Sequence, residues 1–311
     1  MSSDLCKAWG YHWANNRRNY PLGRSGMDLS KEPPELSEDG LVVPEVGTWA
    51  EDKHRLVSLY SSLFSSGMKD KWDSRVYLEL YAGAGYSRIR GSGKLIAGSP
   101  LRALLVKDPF DKYVFCEDAL DRLAALKARV GRHAPTAAVA YVEGKCDLHL
   151  DEILAAVPRG SRGETVLTLC FVDPFDIGIK FETMRALANN RYVDFLVTLA
   201  LGMDANRNYE HYVKEDASKI DDFLGSNTWR ERWAAAQWDA VKFTRFLADE
   251  FTKSMATLQY LPPPFYTMKE VRSHERNLRL YRLALFSRHE RAYRFWDQVL
   301  KYGTDQKSLF E

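Results

Sequence analysis

Between residues 48 and 200, short apolar runs alternate with segments of helical period. Residues 50–64 place Leu56, Val57, Tyr60 and Leu63 on one helical face, with Thr48 positioned to cap it. Residues 76–81 read as a strand. Ser99 and Pro100 read as a cap followed by proline at the first helical position, opening a helix through Val106. The alternation continues with strands at 113–116, 137–142, 166–172 and 192–199, and helices at 119–130, 148–157 and 180–189. Five strands separated by helices predict a parallel sheet with helices on both faces.

The period changes after Leu201. Residues 204–261 carry Trp229, Trp233, Trp238, Phe243, Phe246 and Phe251 at roughly helical spacings, which predicts a helical insertion with its own core rather than a stacking platform. The prolines at 262–264 end it. Residues 265–271 and 280–286 then read as an antiparallel pair of strands, and 289–302 as a closing helix, which makes seven strands in all. The first 45 residues are polar and include Pro33 and Pro34; they read as an arm or extended cover, whose Trp9, Tyr11, Trp13 and Tyr20 predict docking, first of all on its own domain. The expected organisation is that arm, 1–45, followed by an α/β domain over 46–311.

Composition narrows the class only a little. At 311 residues, 45% apolar and 28% charged, the chain can bury a large core. Its net charge of +2 leaves any statement about partners to local charge. The four cysteines, Cys6, Cys116, Cys146 and Cys170, form no CxxC pair, so they predict reduced thiols in a cytoplasmic protein and no zinc site. No run reaches membrane-spanning length, and the histidines show neither metal spacing nor a triad with serine.

The chemistry gathers at the strand ends. After the first come Glu79, Tyr81 and the Gly83-x-Gly85 turn; after the second, Glu117 and Asp118; after the third, Cys146 and Asp147; after the fourth, Asp173, Pro174 and Phe175. Ligands of open α/β sheets sit beyond these carboxyl ends. A carboxylate after the second strand is placed to accept from both ribose hydroxyls, and one after the third from the amino group of an adenine ring. Each signal has a plainer reading. The glycines make a tight turn anywhere, Glu117-Asp118 suits the positive end of a helix, Asp147 suits a helix cap, and Pro174 merely stops a strand. The four together, in sheet order, favour an adenosine-bearing cofactor. Arg88 stands where a dinucleotide fingerprint needs its third glycine, and no phosphate-binding GxxxxGK[ST] motif occurs. S-adenosylmethionine remains, with Glu79 placed to meet its positive charge.

This order of elements is similar to the Rossmann-like class I methyltransferase fold, and Glu79 to Gly85 looks like that fold's first motif. More closely, the chain resembles the three-Cys-motif partner protein family of bacteria and phages. The matching stretches are Val46 to Trp49 with Lys53 and His54, Leu80 to Gly85, Gly98 to Pro100, Glu117, Phe171 to Phe175, and the ending 280–286 with Phe295 and Trp296. The resemblance covers roughly residues 46–300. It implies a cofactor set of Glu79, Tyr81, Gly83 and Gly85 for the methionine end, Glu117 and Asp118 for the ribose, and Asp147 for the adenine. It also implies that Asp173, Pro174 and Phe175 stand where amino-methylating enzymes carry Asp/Asn-Pro-Pro-Tyr/Phe, the acid accepting from the target amino group and the ring stacking on an extruded base. One proline stands here in place of two. The resemblance further implies a radical-type partner protein carrying three cysteines, and work on nucleic acid either as a methyltransferase or as a non-catalytic accessory. Local charge points the same way. Arg88, Arg90, Lys94, Arg102 and Lys107 lie between Tyr86 and Lys107 with no acid among them, predicting a flexible basic loop that tracks phosphates.

Overall fold

The computed structural model describes residues 36–205, 207–214, 217–236, 240–273, 275 and 277–305. The first 35 residues of the expected arm, with their four aromatic residues and Cys6, lie outside the described residues, as does Trp238.

The core is a sheet of seven strands: β2 (Ser74–Glu79), β5 (Lys112–Glu117), β6 (Val139–Glu143), β7 (Val166–Val172), β8 (Tyr192–Leu199), β9 (Lys269–Ser273) and β10 (Leu278–Phe286). Their order is β6-β5-β2-β7-β8-β10-β9. The first five are mutually parallel, and β10 runs antiparallel to both β8 and β9. Counted along the chain this order is 3-2-1-4-5-7-6, the Rossmann-like class I methyltransferase layout expected from the sequence. The order reverses between β2 and β7, the place where open α/β sheets receive ligands beyond their carboxyl ends.

Alternation along the strands divides the core in two. Tyr77, Phe115, Leu169, Phe171, Leu196 and Leu283 face α1 (Trp49–Met68), α2 (Ser99–Leu104), α3 (Leu120–His133) and α10 (Glu290–Asp305). Leu78, Val114, Cys170, Val172, Phe195 and Phe286 face α4 (Leu150–Ala156), α5 (Phe181–Ala188) and the insertion. The insertion comprises a π-helical turn (Leu201–Ala205), α6 (Tyr209–Tyr212), α7 (Lys219–Leu224), α8 (Trp229–Ala236) and α9 (Ala240–Thr257). Trp229, Trp233, Phe243 and Phe251 are buried in one cluster with Phe181, Phe195 and Phe286, so among the described residues the insertion extends the core of this sheet face and has no separate core of its own.

Several local readings are revised. The strand expected from residue 265 starts at Lys269, because Phe265–Thr267 form a 3-10 turn after the prolines, with Thr267 N–H donating to the Pro264 carbonyl. Ser99 is the first residue of α2 rather than its cap; Gly98 holds the cap position, and the Ser99 hydroxyl is used elsewhere. Thr48 precedes α1, but its hydroxyl donates to Glu275 instead of capping the helix. The flexible basic loop is a hairpin, β3 (Tyr86–Ile89) and β4 (Leu95–Ala97), which pairs with β1 (Glu45–Val46) as a small second sheet. Gly91 and Gly93 turn the hairpin with φ of +91° and +70°, a region that side chains disfavour. Its strands are too short and too charged to show a strand period.

Asp194 lies on β8 beneath the core, and burial pushes its carboxyl up to about 7 against the opposing effects of Ser287 and Arg288. The folded chain therefore binds more protons than the unfolded chain between the ordinary aspartate range and that value, and the resulting stabilisation is lost as pH rises through the window. Asp194→Asn is expected to flatten this slope and raise stability at pH 8 by on the order of 1–3 kcal/mol. Urea unfolding at pH 5 and pH 8 measures it.

Candidate functional site

The tips of β2, β5, β6 and β7 meet at one end of the sheet, tied by a chain of hydrogen bonds. Glu117, the last residue of β5, accepts from Gly83 N–H through Oε2 at 2.7 Å and from Ala119 N–H through Oε1 at 3.1 Å. Its backbone carbonyl accepts from Gly144 N–H beyond β6 at 3.0 Å. Burial raises the pKa of the Glu117 carboxyl, and the two backbone donors oppose the rise. Its neighbour Asp118 is exposed and hydrogen-bonds to it.

The glycine turn has two unlike halves. Gly83 has φ of +66° and open space where a Cβ would stand, so this face of the turn is open. Gly85 has φ of +81°, and a Cβ there would come within 3.1 Å of Leu126 on α3. Its carbonyl accepts from Gly98 N–H at 2.7 Å, which brings the start of α2 against the turn. The turn thus packs inward at Gly85 and opens outward at Gly83.

Beyond β6, the Cys146 thiol donates to the Tyr81 hydroxyl at 3.4 Å, and the Thr183 hydroxyl donates to Asp147 Oδ1 at 2.5 Å. Burial pushes the Cys146 thiol up to about 12, so it stays neutral, and burial also raises Tyr81. Asp147 caps no helix; His149 precedes α4. Hydrogen bonds thus join Gly83 to Glu117, and Tyr81 through Cys146 to Asp147, at the carboxyl ends of neighbouring strands.

Glu79 departs from its expected place. It is fully buried, its Oε1 accepting from Ser99 Oγ at 2.5 Å and its Oε2 from Tyr77 Oη at 3.0 Å. Burial holds its pKa well above the usual carboxylate range, against the Ser99 and Tyr77 hydroxyls. A carboxyl sealed under the turn and engaged by two hydroxyls supports the turn from below and is not exposed to a ligand. Glu79→Gln is accordingly expected to change cofactor affinity less than threefold, because the side chain is buried away from the ligand and the amide preserves its shape. Calorimetric titration checks this, and a loss above tenfold would restore the charged role.

Asp173 follows β7 on the same side of the sheet as Glu79. It pairs with Lys53 of α1 at 2.5 Å, and both side chains are about 15% exposed (14% for Lys53, 15% for Asp173). The Lys53 partner was absent from the sequence expectation of Asp173, although Lys53 stood in one of the matching stretches. Pro174 is buried, whereas the Phe175 ring is 87% exposed at the loop tip. The next residue, Asp176, borders a cavity of about 610 Å³ lined by Asp204, Asn208, His211, Tyr212 and Lys219 of the insertion. Asp204 organises its floor, accepting from Ile177 N–H, Asn208 Nδ2, Tyr212 Oη and Lys219 Nζ. A polar cavity beside the Asp173 loop had no signal in the sequence beyond the change of period after Leu201.

The basic set is not brought together as a bare patch. Arg88 pairs with Glu38, Arg90 with Glu45 and Lys94 with Glu51. Arg102 turns its guanidinium to the Ala97 carbonyl at 2.9 Å, and burial lowers its pKa. Among the described residues no group of three or more His, Cys, Asp or Glu could hold a metal ion, and no helix is long and apolar enough to cross a membrane.

No family model matches the chain, and no curated protein matches it. Solved structures resemble it at low identity. One is the O-methyltransferase from Bacillus cereus in complex with SAH, 8% identical, covering 76% of this chain and 80% of that one with a TM-score of 0.41. Another is the O-methyltransferase TomG from Streptomyces achromogenes, involved in tomaymycin synthesis and in complex with SAM, 13% identical over 76% of this chain and 79% of that one, also at 0.41.

Proposed function

We propose that the chain is an S-adenosylmethionine-dependent methyltransferase acting on a base of DNA or RNA. The observation that supports it most is the Glu117 carboxylate, set beside the vacant face of Gly83 at the tip next to the order reversal. The fit to the cofactor is good at the nucleoside end. Glu117 offers its remaining lone pairs to the two ribose hydroxyls while Gly83 N–H keeps it oriented. Asp147, fixed by Thr183, accepts from the adenine amino group, and Tyr81 borders the same space. Asp118 stands exposed at the rim. The bare Gly83 leaves room for the chain of the ligand to pass close to the backbone. When bound, the cofactor supplies an electrophilic methyl group on a sulfonium. The protein's part is to align a nucleophile with that group and to exclude water.

Asp173 is the group that orients an amino nucleophile, with one oxygen left to accept while Lys53 holds the other. Phe175, bare at the loop tip, offers a stacking face for an extruded base, and the neighbouring cavity has room for that base. Arg88, Arg90 and Lys94 lie on the hairpin that continues the glycine turn. Their carboxylate partners are surface groups, and such pairs are weak enough for a phosphate to displace.

A second reading is favoured by the Lys53 pair and the single proline. A cation against Asp173 weakens it as an acceptor, which suits an accessory protein that binds cofactor and nucleic acid while a radical-type three-Cys partner performs the chemistry. Incubation with methyl-labelled cofactor and mixed DNA and RNA separates the two. Label in nucleic acid, lost in Asp173→Asn, is the expected result; cofactor binding with no transfer to any acceptor supports the accessory reading.

A further inference from the structure

Arg129 of α3 is completely buried, and it spends its guanidinium on two segments far apart in the chain. Nε and Nη2 fork onto the two oxygens of Asp39 at 2.9 and 2.8 Å. Nη1 donates to the Val42 carbonyl at 3.0 Å and to the Ala84 carbonyl at 2.6 Å. The guanidinium also lies over the Tyr86 ring, 4.2 Å from its centroid. Ala84 is the middle residue of the Gly83–Gly85 turn, and Tyr86 is the residue after it. One side chain thus grips the glycine turn while it binds the segment before β1.

That segment continues the grip. The Pro44 carbonyl accepts from Arg88 N–H at 2.9 Å and the Val46 carbonyl from Arg90 N–H at 2.8 Å, so residues 39–46 lie along the strand that leaves the turn. Asp39 has a 2% exposed side chain, and the Arg129 hydrogen bond holds its carboxyl below the usual range, so the pair stays charged. A turn with two left-handed glycines has little conformational preference of its own, because glycine surrenders more freedom on ordering than any other residue. The orientation of Gly83 N–H, on which Glu117 depends, must be imposed from outside.

We propose that residues 39–46 form a strap that, through Asp39 and Arg129, fixes the glycine turn in its ligand-receiving shape, making Arg129 a positioning residue for cofactor binding. This rests on the reading of the turn as the cofactor site. A buried fork of this kind is geometrically exacting: lysine at 129 keeps the charge but cannot reach Asp39 twice and Ala84 at once. Removing Asp39 alone leaves a buried guanidinium without its counter-charge, and removing Arg129 alone leaves the buried Asp39 only Arg132 at 3.6 Å, which endangers folding. The paired variant Asp39→Asn with Arg129→Met removes both charges and is the main test.

The measurement is calorimetric titration with S-adenosylhomocysteine, well below the melting temperature of each variant, together with hydrogen exchange of the amides at 83–86. The paired variant and Arg129→Lys are expected to bind at least tenfold more weakly and to exchange faster at those amides. Glu38→Gln, which loses only the exposed pair with Arg88, is expected to stay within twofold. A folded paired variant that binds like the wild type, with protection at 83–86 unchanged, would overturn the proposal. If the wild-type chain binds no S-adenosylhomocysteine, the cofactor reading fails. The exchange experiment then decides the strap alone: faster exchange supports it, and unchanged exchange overturns it.

Discussion

Glu117→Ala is expected to weaken S-adenosylmethionine binding by roughly 100-fold or more. A carboxylate accepting from two hydroxyls makes two charge-assisted hydrogen bonds, each worth about 1.5–3 kcal/mol, and every 1.4 kcal/mol is tenfold in affinity. The substitution also removes the acceptor of Gly83 N–H, so the turn loses its tie to β5 at the same moment. Glu117→Gln is the informative companion. It keeps an oxygen for Gly83 or for one hydroxyl, not for both, and the loss should fall near tenfold. Neither variant should lose much stability, since burial already disfavours the charged carboxylate. Calorimetric titration against the wild type gives the numbers, and unchanged affinity in the alanine variant would remove Glu117 from the site.

Trp229→Ala is expected to have the largest effect on stability, about 3–5 kcal/mol. The ring is fully buried, its Nε1 donates to Asp221 Oδ1 at 2.6 Å, and the Arg230 guanidinium covers it 4.6 Å from its centroid. Phe243, against the same ring, is buried too. Alanine leaves a large cavity and an Asp221 with one donor fewer. Urea unfolding followed by far-ultraviolet circular dichroism measures the loss. A change below about 0.5 kcal/mol, typical of a surface site, would return the insertion's tryptophans to consideration as a stacking surface.

The alternation of strands and helices was legible because buried parallel strands are nearly all apolar. Val166–Val172 is buried at every position, and Tyr192–Leu199 at all but the first, and both stand where the apolar runs end. The tip residues were legible because the fold fixes where a strand ends: Glu117 could be assigned a position without knowing any side-chain partner. What escaped were contacts made across long separations. Glu79 looked like a charge at the edge of a crevice, yet Ser99, twenty residues later, and Tyr77 close over it, and burial raises its pKa against their hydrogen bonds. Arg88, Arg90 and Lys94 formed a basic run only along the chain; Glu38, Glu45 and Glu51 reach them from the segment before β1, from β1 itself and from α1. Arg129 gave no signal at all, since a lone arginine in a helix of ordinary composition reads as solvated.

The revised site differs from the expected one in a specific way. The acids at the tips do not share one role. Glu117 is tied to Gly83 and Asp147 to Thr183, Asp173 is matched to Lys53, and Glu79 is part of the core beneath. In the proposed function, recognition of an adenosine moiety then rests on the second and third strand tips.

The central claim is that this crevice receives the adenosine of S-adenosylmethionine. Titration of the wild-type chain with S-adenosylhomocysteine, with NAD and ATP as parallel ligands, tests it most directly. Saturable one-to-one binding of S-adenosylhomocysteine, with neither phosphate-bearing ligand competing, is the predicted result. No binding of S-adenosylhomocysteine, or displacement of it by NAD or ATP at similar concentration, would contradict the account.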